Sequence, residues 1–168
     1  MGRLMQDTFH VKGLSALGKA LSTLPTRIER NVLRGALRAG MKPVQLAARD
    51  NAAKATGELA KGLRISTDGR KGKVYARLKT SGPHDYIARF VEFGTAPHTI
   101  SGRNGGMLRI AGKAIVPSVA HPGARPMPFM RPALDTKSPD AVQAVANYIR
   151  NRLATQHGID IPDTGDDL

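Results

Sequence analysis

The chain has 168 residues, with 26 basic and 13 acidic side chains and a formal net charge of +13. This length suits one domain with a modest core. The absence of cysteine excludes disulfides, thiolate metal sites and a cysteine nucleophile. No stretch approaches the roughly 20 apolar residues that a membrane helix needs, and the first residues lack the apolar centre of a signal peptide. We therefore expect a soluble protein in the cytoplasm of the cell that makes it.

The charge is unevenly distributed along the chain. The last basic residue is Arg152, and four of the thirteen acids follow it: Asp160, Asp163, Asp166 and Asp167. The sequence thus predicts a basic body and a short acidic tail, residues 158–168, which we expect to be mobile. A basic body attracts polyanions such as nucleic acid, or acidic surfaces of other proteins. A charge that only keeps the protein in solution is the simpler alternative.

The first predicted elements are two helices. Leucines recur at helical spacing from Leu14 to Leu24 within an N-terminal segment, residues 1–25, and Pro25 ends this helix. Thr26 and Glu29 form a capping-box signature for a long helix that runs to about residue 53. Pro43 removes a backbone donor inside it, so we predict a kink near residues 39–42 or two packed halves. The predicted apolar face is Ile28, Val32, Leu33, Ala36, Leu37, Gly40, Met41, Val44 and Ala48.

Basic residues recur every three, four or seven positions on this long helix. They are Arg27, Arg30, Arg34, Arg38, Lys42 and Arg49. The spacing places most of them along one stripe away from the apolar face. The functional hypothesis is contact with DNA or with an acidic partner. The structural alternative is that an amphipathic helix needs a polar face toward water, and that arginine favours helices.

The central part of the chain predicts a small sheet. Residues 59–67 and 73–80 have the pattern of a hairpin that turns at residues 68–72, and Val74, Ala76 and Leu78 alternate with polar neighbours. Residues 86–93 fit a helix end or a strand equally well. Two more short strands are predicted at residues 107–110 and 114–116.

A closing helix is predicted to begin with Ser138 as N-cap and Pro139 in the first turn, and to end near His157 and Gly158. Its inner face would be Val142, Val145, Ala146, Ile149 and Leu153. The fold class is therefore α+β. One domain, residues 26–157, combines a long N-terminal helix, a small and mostly antiparallel sheet, and a C-terminal helix.

Catalytic motifs are lacking. The five histidines are dispersed and have no HExxH spacing, and no serine occupies a GxSxG elbow. The glycine-rich run from Ser101 to Gly106 lacks the Lys-Ser/Thr ending and the following helix of a P-loop. We predict no enzyme activity, no metal and no cofactor.

A proline-rich arm follows the sheet. Pro126, Pro128 and Pro132 fix backbone angles, which predicts a stiff, non-helical segment from Arg125 to Pro132. Phe129 and Met130 are candidate apolar anchors in it, and Arg125 and Arg131 are candidate partners for acids such as Glu92 on a neighbouring subunit. Packing of the same arm inside its own subunit, with Phe129 in the core, is equally compatible. Gly94, before Thr95, predicts a turn or a close backbone approach.

Three motifs carry a family resemblance. They are Thr56-Gly57-x-Leu59, Val91-Glu92-Phe93-Gly94-Thr95 and Ala124-Arg125-Pro126-x-Pro128-Phe129-Met130-Arg131-Pro132-Ala133-Leu134. Together they resemble the neck proteins of long-tailed bacteriophages, the lambda-like tail completion or head-tail joining family, in order from Thr26 to Leu153. The resemblance implies a non-enzymatic α+β subunit of a ring, six-fold or similar, at the head-tail junction of the virion. Its partners would be further copies, other neck and tail proteins, and DNA bound without sequence preference.

The motifs and the chemistry of the arm together define a predicted subunit or partner interface. It comprises Glu92, Phe93, Gly94, Thr95, Arg125, Pro126, Phe129, Met130, Arg131 and Pro132. A function from a different class, a basic nucleic-acid-binding module unrelated to virions, predicts instead that the isolated monomer binds DNA in a salt-dependent way. Neither function involves a membrane.

Overall fold

A computed structural model describes residues 13–52, 57–70, 73–82, 85–110 and 115–161. Within these ranges the helices are α1 (Leu14–Ser22), α2 (Thr26–Asn51), α3 (Glu58–Gly62), α4 (Asp85–Phe93) and α5 (Met130–His157). The strands are β1 (Leu63–Arg70), β2 (Lys73–Thr80), β3 (His98–Ser101), β4 (Leu108–Arg109), β5 (Ile115–Val116) and β6 (Ser118–His121). The predicted α+β class is confirmed.

The two long helices, α2 and α5, pack along each other in opposite directions. A Cβ atom at Gly35 would collide with the ring of Tyr148, and one at Gly40 would lie 2.8 Å from the carbonyl oxygen of Ala141. Early residues of α2 thus face late residues of α5. Glycine at these two positions lets the helix axes approach closely.

The core consists of two clusters along this helix pair. The first joins α1, the first half of α2, the second half of α5 and the chain after it, through Leu17, Leu21, Val32, Ala36, Ala146, Ile149, Leu153 and Ile161. The second joins the other half of α2 to β1, α4 and the start of α5, through Val44, Ala48, Ala52, Leu63, Ala88, Phe129 and Ala133. The predicted apolar faces of both long helices are confirmed. Residues 162–168, which hold most of the predicted acidic tail, lie outside the described ranges.

The first strand pair is an antiparallel hairpin that packs on α2. Its register runs from Leu63 opposite Thr80 to Arg70 opposite Lys73. The predicted alternation in β2 is confirmed, because Val74, Ala76 and Leu78 are half-buried while the residues between them are exposed. Two predicted details are wrong. Leu59 lies in α3, and Asp68 and Gly69 pair within the ladder.

The other two strand pairs form a ribbon, residues 98–110 and 115–121. β3 pairs with β6 from His98 opposite His121 to Ser101 opposite Ser118, and β4 pairs with β5 farther along. The β4–β5 pair matches the two predicted short strands. The outer pair was not predicted, because its strands have only four residues each and all of β3 is exposed. With so little burial, neither strand leaves an alternating apolar pattern in the sequence.

Neither long helix has the predicted N-cap. Thr26 is the first residue of α2 and Pro25 precedes it without a side-chain cap, so the predicted capping box is wrong. α2 continues through Pro43 as one helix, which excludes two separate halves. α5 begins at Met130, and the Ser138 hydroxyl donates to the Leu134 carbonyl within the helix, so Ser138 is not an N-cap.

The early start of α5 also shortens the extended arm to residues 125–129. Pro132 is the third residue of the helix. It is tolerated there because first-turn N–H groups have no acceptor inside the helix. The predicted end at His157, with Gly158 in the left-handed conformation, is confirmed. No helix in the described ranges is long and apolar enough to cross a membrane.

Candidate assembly interface

Two of the predicted motifs meet at the start of α5. Glu92, in the last turn of α4, is only 9% exposed. Its carboxylate accepts the backbone N–H groups of Phe129 at 2.8 Å, Met130 at 2.9 Å and Arg131 at 3.1 Å. These donors have no acceptor within α5, and a negative charge is favourable at the positive end of a helix. Glu92 therefore caps α5 from a distant position, because Phe129, the residue before this helix, lies 37 residues later in the chain.

The ionisation of Glu92 follows from this geometry. Burial raises the pKa of a carboxyl group, but the three backbone hydrogen bonds and the positive charge of Arg131 outweigh burial. The pKa of Glu92 is therefore lowered from its ordinary value. The side chain is a carboxylate, and not a neutral acid, at neutral pH.

The backbones of the same two motifs also pair directly. Thr95 N–H donates to the Ala124 carbonyl at 2.9 Å, and Ala124 N–H donates back to the Thr95 carbonyl at 3.1 Å. Gly94 has φ of +71°, and a Cβ atom there would lie 2.5 Å from the Ala124 carbonyl oxygen. The predicted close approach at Gly94 is confirmed. We call these contacts between residues 92–95 and 124–131 the latch.

The latch changes the status of the predicted interface residues. Phe129 is fully buried among residues of its own subunit, and Glu92 is occupied by backbone donors. Both side chains are thus occupied within their own subunit, and the predicted alternative of internal packing describes Phe129. Gly94 and Thr95 hold the arm in place. An interface role for the more accessible residues stays a prediction: Phe93, Arg125, Pro126, Met130, Arg131 and Pro132.

The basic stripe of α2 divides into two parts. Five of its residues are exposed and have no carboxylate within ion-pair distance in the described ranges: Arg27, Arg30, Arg34, Arg38 and Lys42. We call these five the basic face. Arg49 is different, because it is half-buried and its Nη2 donates to the Leu63 carbonyl at 3.1 Å. The buried Gln45, which the sequence did not single out, donates to the same carbonyl at 2.9 Å.

A third surface was missed from the sequence. Tyr86, Phe90 and Phe93 lie on the outer side of α4 and are exposed. Their spacing of four and three residues is helical. Ile87 and Val91 between them obscured the period, so residues 86–93 fitted a strand equally well. Among the described residues, no group of three or more His, Asp or Glu side chains is placed to hold a metal ion.

Comparison with known families gives a match over the first part of the chain. Residues 15–94 match the family model described as "Bacteriophage HK97-gp10, putative tail-component". This segment is similar to that phage tail-component family. The match runs from α1 to the end of α4, so it includes the basic face, the β1–β2 hairpin and the Glu92 half of the latch. The predicted resemblance to phage neck and tail proteins is thereby confirmed.

The tail-component match indicates a structural role in the tail of a bacteriophage, and hence a place in the virion. The arm, the ribbon and α5 lie beyond the matched residues. Comparisons of the chain with curated proteins and with solved structures give no significant match.

Proposed function

We propose that the protein is a non-enzymatic subunit of a ring at the head-tail junction, in tail completion or head-tail joining, and that DNA passes through this ring. The tail-component family and the order of the three sequence motifs support this role. The latch supports it as well. It fixes the arm on α4, so the exposed arm residues are held rigidly for contact with a neighbouring copy or another neck protein.

The basic face is the observation that carries the proposed contact with DNA. Its five cations cover about 22 Å along α2, at 1.5 Å per residue. They point away from the core and have no acidic partner in the described ranges. Such cations bind phosphates without reading sequence, with an affinity that falls as salt rises. This is the property needed in a channel through which an entire genome passes.

Loss of the gene tests the assembly role. We expect DNA-filled heads and complete tails to accumulate separately, and wild-type protein added to such an extract to restore joined, infectious particles. Arg30→Glu combined with Arg34→Glu should reduce phage yield by at least about tenfold, since both cations of the basic face become anions. A matched control is Lys19→Glu combined with Arg103→Glu, which makes the same charge change at exposed positions elsewhere.

Two outcomes would contradict the proposal. Normal joining of heads and tails without the gene would remove the assembly role. If, in addition to this normal joining, the isolated monomer bound DNA tightly, a nucleic-acid-binding module unrelated to virions would become the better account of the protein. Wild-type yield from the Arg30→Glu, Arg34→Glu variant would exclude the basic face from DNA passage while leaving the joining role standing.

A further inference from the structure

The outer side of α4 carries aromatic side chains that the fold does not bury. Tyr86 is 57% exposed, Phe90 47% and Phe93 69%. The rings of Tyr86 and Phe90 meet edge to face, with centroids 6.0 Å apart. The whole chain has only four Phe and three Tyr, so a large share of its aromatic side chains lies on this one exposed helix face. Burial of such side chains against a partner removes apolar surface from water and favours association.

The apolar surface continues from α4 onto the arm and the start of α5. Leu134 lines the same groove as Phe93 and is 50% exposed. Met127 is 63% exposed, and its backbone N–H donates to the Val91 carbonyl of α4 at 2.7 Å. We call Tyr86, Phe90, Phe93, Met127 and Leu134 the α4 patch. The latch therefore has two sides, since it buries Glu92 and Phe129 and leaves Phe93 and Met127 outside.

The shape of the patch suits an interlocking contact. Phe93 stands between two grooves and lines both of them. One groove extends along Thr95 and Ala96 toward the base of the ribbon, and the other extends toward Met130 and Leu134. An exposed aromatic ridge between grooves is the form of an interface anchor, because a partner side chain on either side would desolvate the ring.

The charges around the patch indicate which partner fits. Lys79, Arg89 and Arg131 line the second groove, and among the described residues lining it the exposed carboxylate is that of Asp85. The rim is therefore basic. A second copy of this chain, with its net charge of +13, would bring further cations to it. Like charges placed together across an interface are unfavourable, and complementary ones favour association.

We propose that the α4 patch docks a different phage protein, one that presents apolar side chains flanked by carboxylates. This inference rests on the proposed assembly role and names the surface and the partner chemistry through which that role is fulfilled. The apolar centre supplies affinity, and the basic rim selects the acidic partner over another copy of this chain.

The experiment uses heads and tails purified separately from phage grown without this gene, and measures how much labelled full-length protein sediments with each. Wild-type protein should bind one of the two particles. Phe90→Ser combined with Phe93→Ser should weaken that binding at least tenfold, without a change in self-association or in the unfolding midpoint. Ile100→Ser combined with Ile115→Ser on the ribbon is the matched control, since it also removes two exposed apolar side chains.

A charge variant keeps the test valid if the serine variant does not fold. Lys79→Glu combined with Arg89→Glu should weaken binding by a similar factor and remove most of its salt dependence. Unchanged particle binding by both variants would overturn the inference. Retained particle binding with lost self-association would also overturn it, because the occupant would then be a second copy. If wild-type protein binds neither particle, the proposed assembly role itself fails, and this result is distinct from the other two.

Discussion

The backbone N–H of Phe129 donates to the carboxylate of Glu92 at 2.8 Å, across 37 residues of sequence. Because Phe129 is fully buried in the second core cluster and Glu92 lies in the last turn of α4, this one bond joins α4, the arm and α5 at a single point. The two sequence motifs are thus first of all the two halves of an internal contact. Their outward-facing residues remain for assembly.

Replacing Glu92 should destabilise the fold in proportion to the acceptors that are lost. We expect Glu92→Ala to cost about 2 kcal/mol of unfolding free energy, because three helix donors lose their partner, and Glu92→Gln about half as much, because one acceptor oxygen remains. Chemical denaturation at neutral pH measures both. Asp140→Ala removes an exposed carboxylate that pairs with Lys137 on the same helix and should cost almost nothing. Equal effects of Glu92→Ala and Asp140→Ala would contradict the capping role.

The lowered pKa of Glu92 makes stability depend on pH. A carboxyl whose pKa is lower in the folded than in the unfolded state contributes stability above its unfolded pKa, and that contribution is lost as the pH falls toward the folded pKa. Stability should therefore decline as the pH falls below about 4.5, the ordinary value for this group. Denaturation midpoints across the acid range should fall less steeply for Glu92→Gln than for wild type. Parallel curves of midpoint against pH for the two proteins would show that the pKa of Glu92 is the same in the folded and unfolded states.

Gly94 is required by both its backbone angle and its surroundings. Gly94 and Gly57 share a φ of +71°, but a Cβ atom would lie 2.5 Å from the Ala124 carbonyl oxygen at Gly94 and would contact nothing within 4 Å at Gly57. Gly57→Ala should cost about 1 kcal/mol, the strain of a left-handed alanine. Gly94→Ala should cost this strain plus about 1–3 kcal/mol for the clash. Thermal unfolding of the two variants gives the difference in stability directly. Equal costs would mean that the latch can shift to accept a Cβ atom at Gly94 without loss of stability.

Local patterns in the sequence were sufficient for the long helices and the first hairpin. Val32, Ala36 and Val44 recur with the period of the helix that buries them, and β2 alternates with the period of a strand. Both signals arise within a few residues, so they need no knowledge of the rest of the chain.

The cap on α5 could not be found in this way. Glu92 contacts backbone N–H groups, which leave no mark in the sequence, and it does so from a distant position. Without that acceptor, the sequence predicts an arm that stays extended through Pro132 and a helix that starts at Ser138 and Pro139. The long-range hydrogen bonds move the start of α5 to Met130.

Gly40 should tolerate no side chain, although alanine is the better helix former by about 1 kcal/mol. A Cβ atom at Gly40 would lie 2.5 Å from Cγ2 of Val145 on α5, and at Gly18 in α1 it would meet nothing within 4 Å. Gly40→Ala should therefore destabilise by about 1–3 kcal/mol through overpacking, whereas Gly18→Ala should stabilise by several tenths of a kcal/mol. Unfolding midpoints that shift in opposite directions would establish the close α2–α5 contact. A stabilising Gly40→Ala would show that the helices can separate freely.

Arg49 and Arg30 lie on the same helix, but replacing them should change different properties of the protein. Arg49 donates to the Leu63 carbonyl and is half-buried, so Arg49→Ala should cost about 1 kcal/mol of stability and leave DNA affinity unchanged. Arg30 is exposed on the basic face, so Arg30→Ala should leave stability unchanged and reduce the slope of DNA affinity against salt by about one counterion. Denaturation and DNA binding over a range of salt concentrations measure the two effects. If Arg49→Ala weakened DNA binding as much as Arg30→Ala does, the stripe would act as one surface, and the division between a structural and an exposed part of α2 would be wrong.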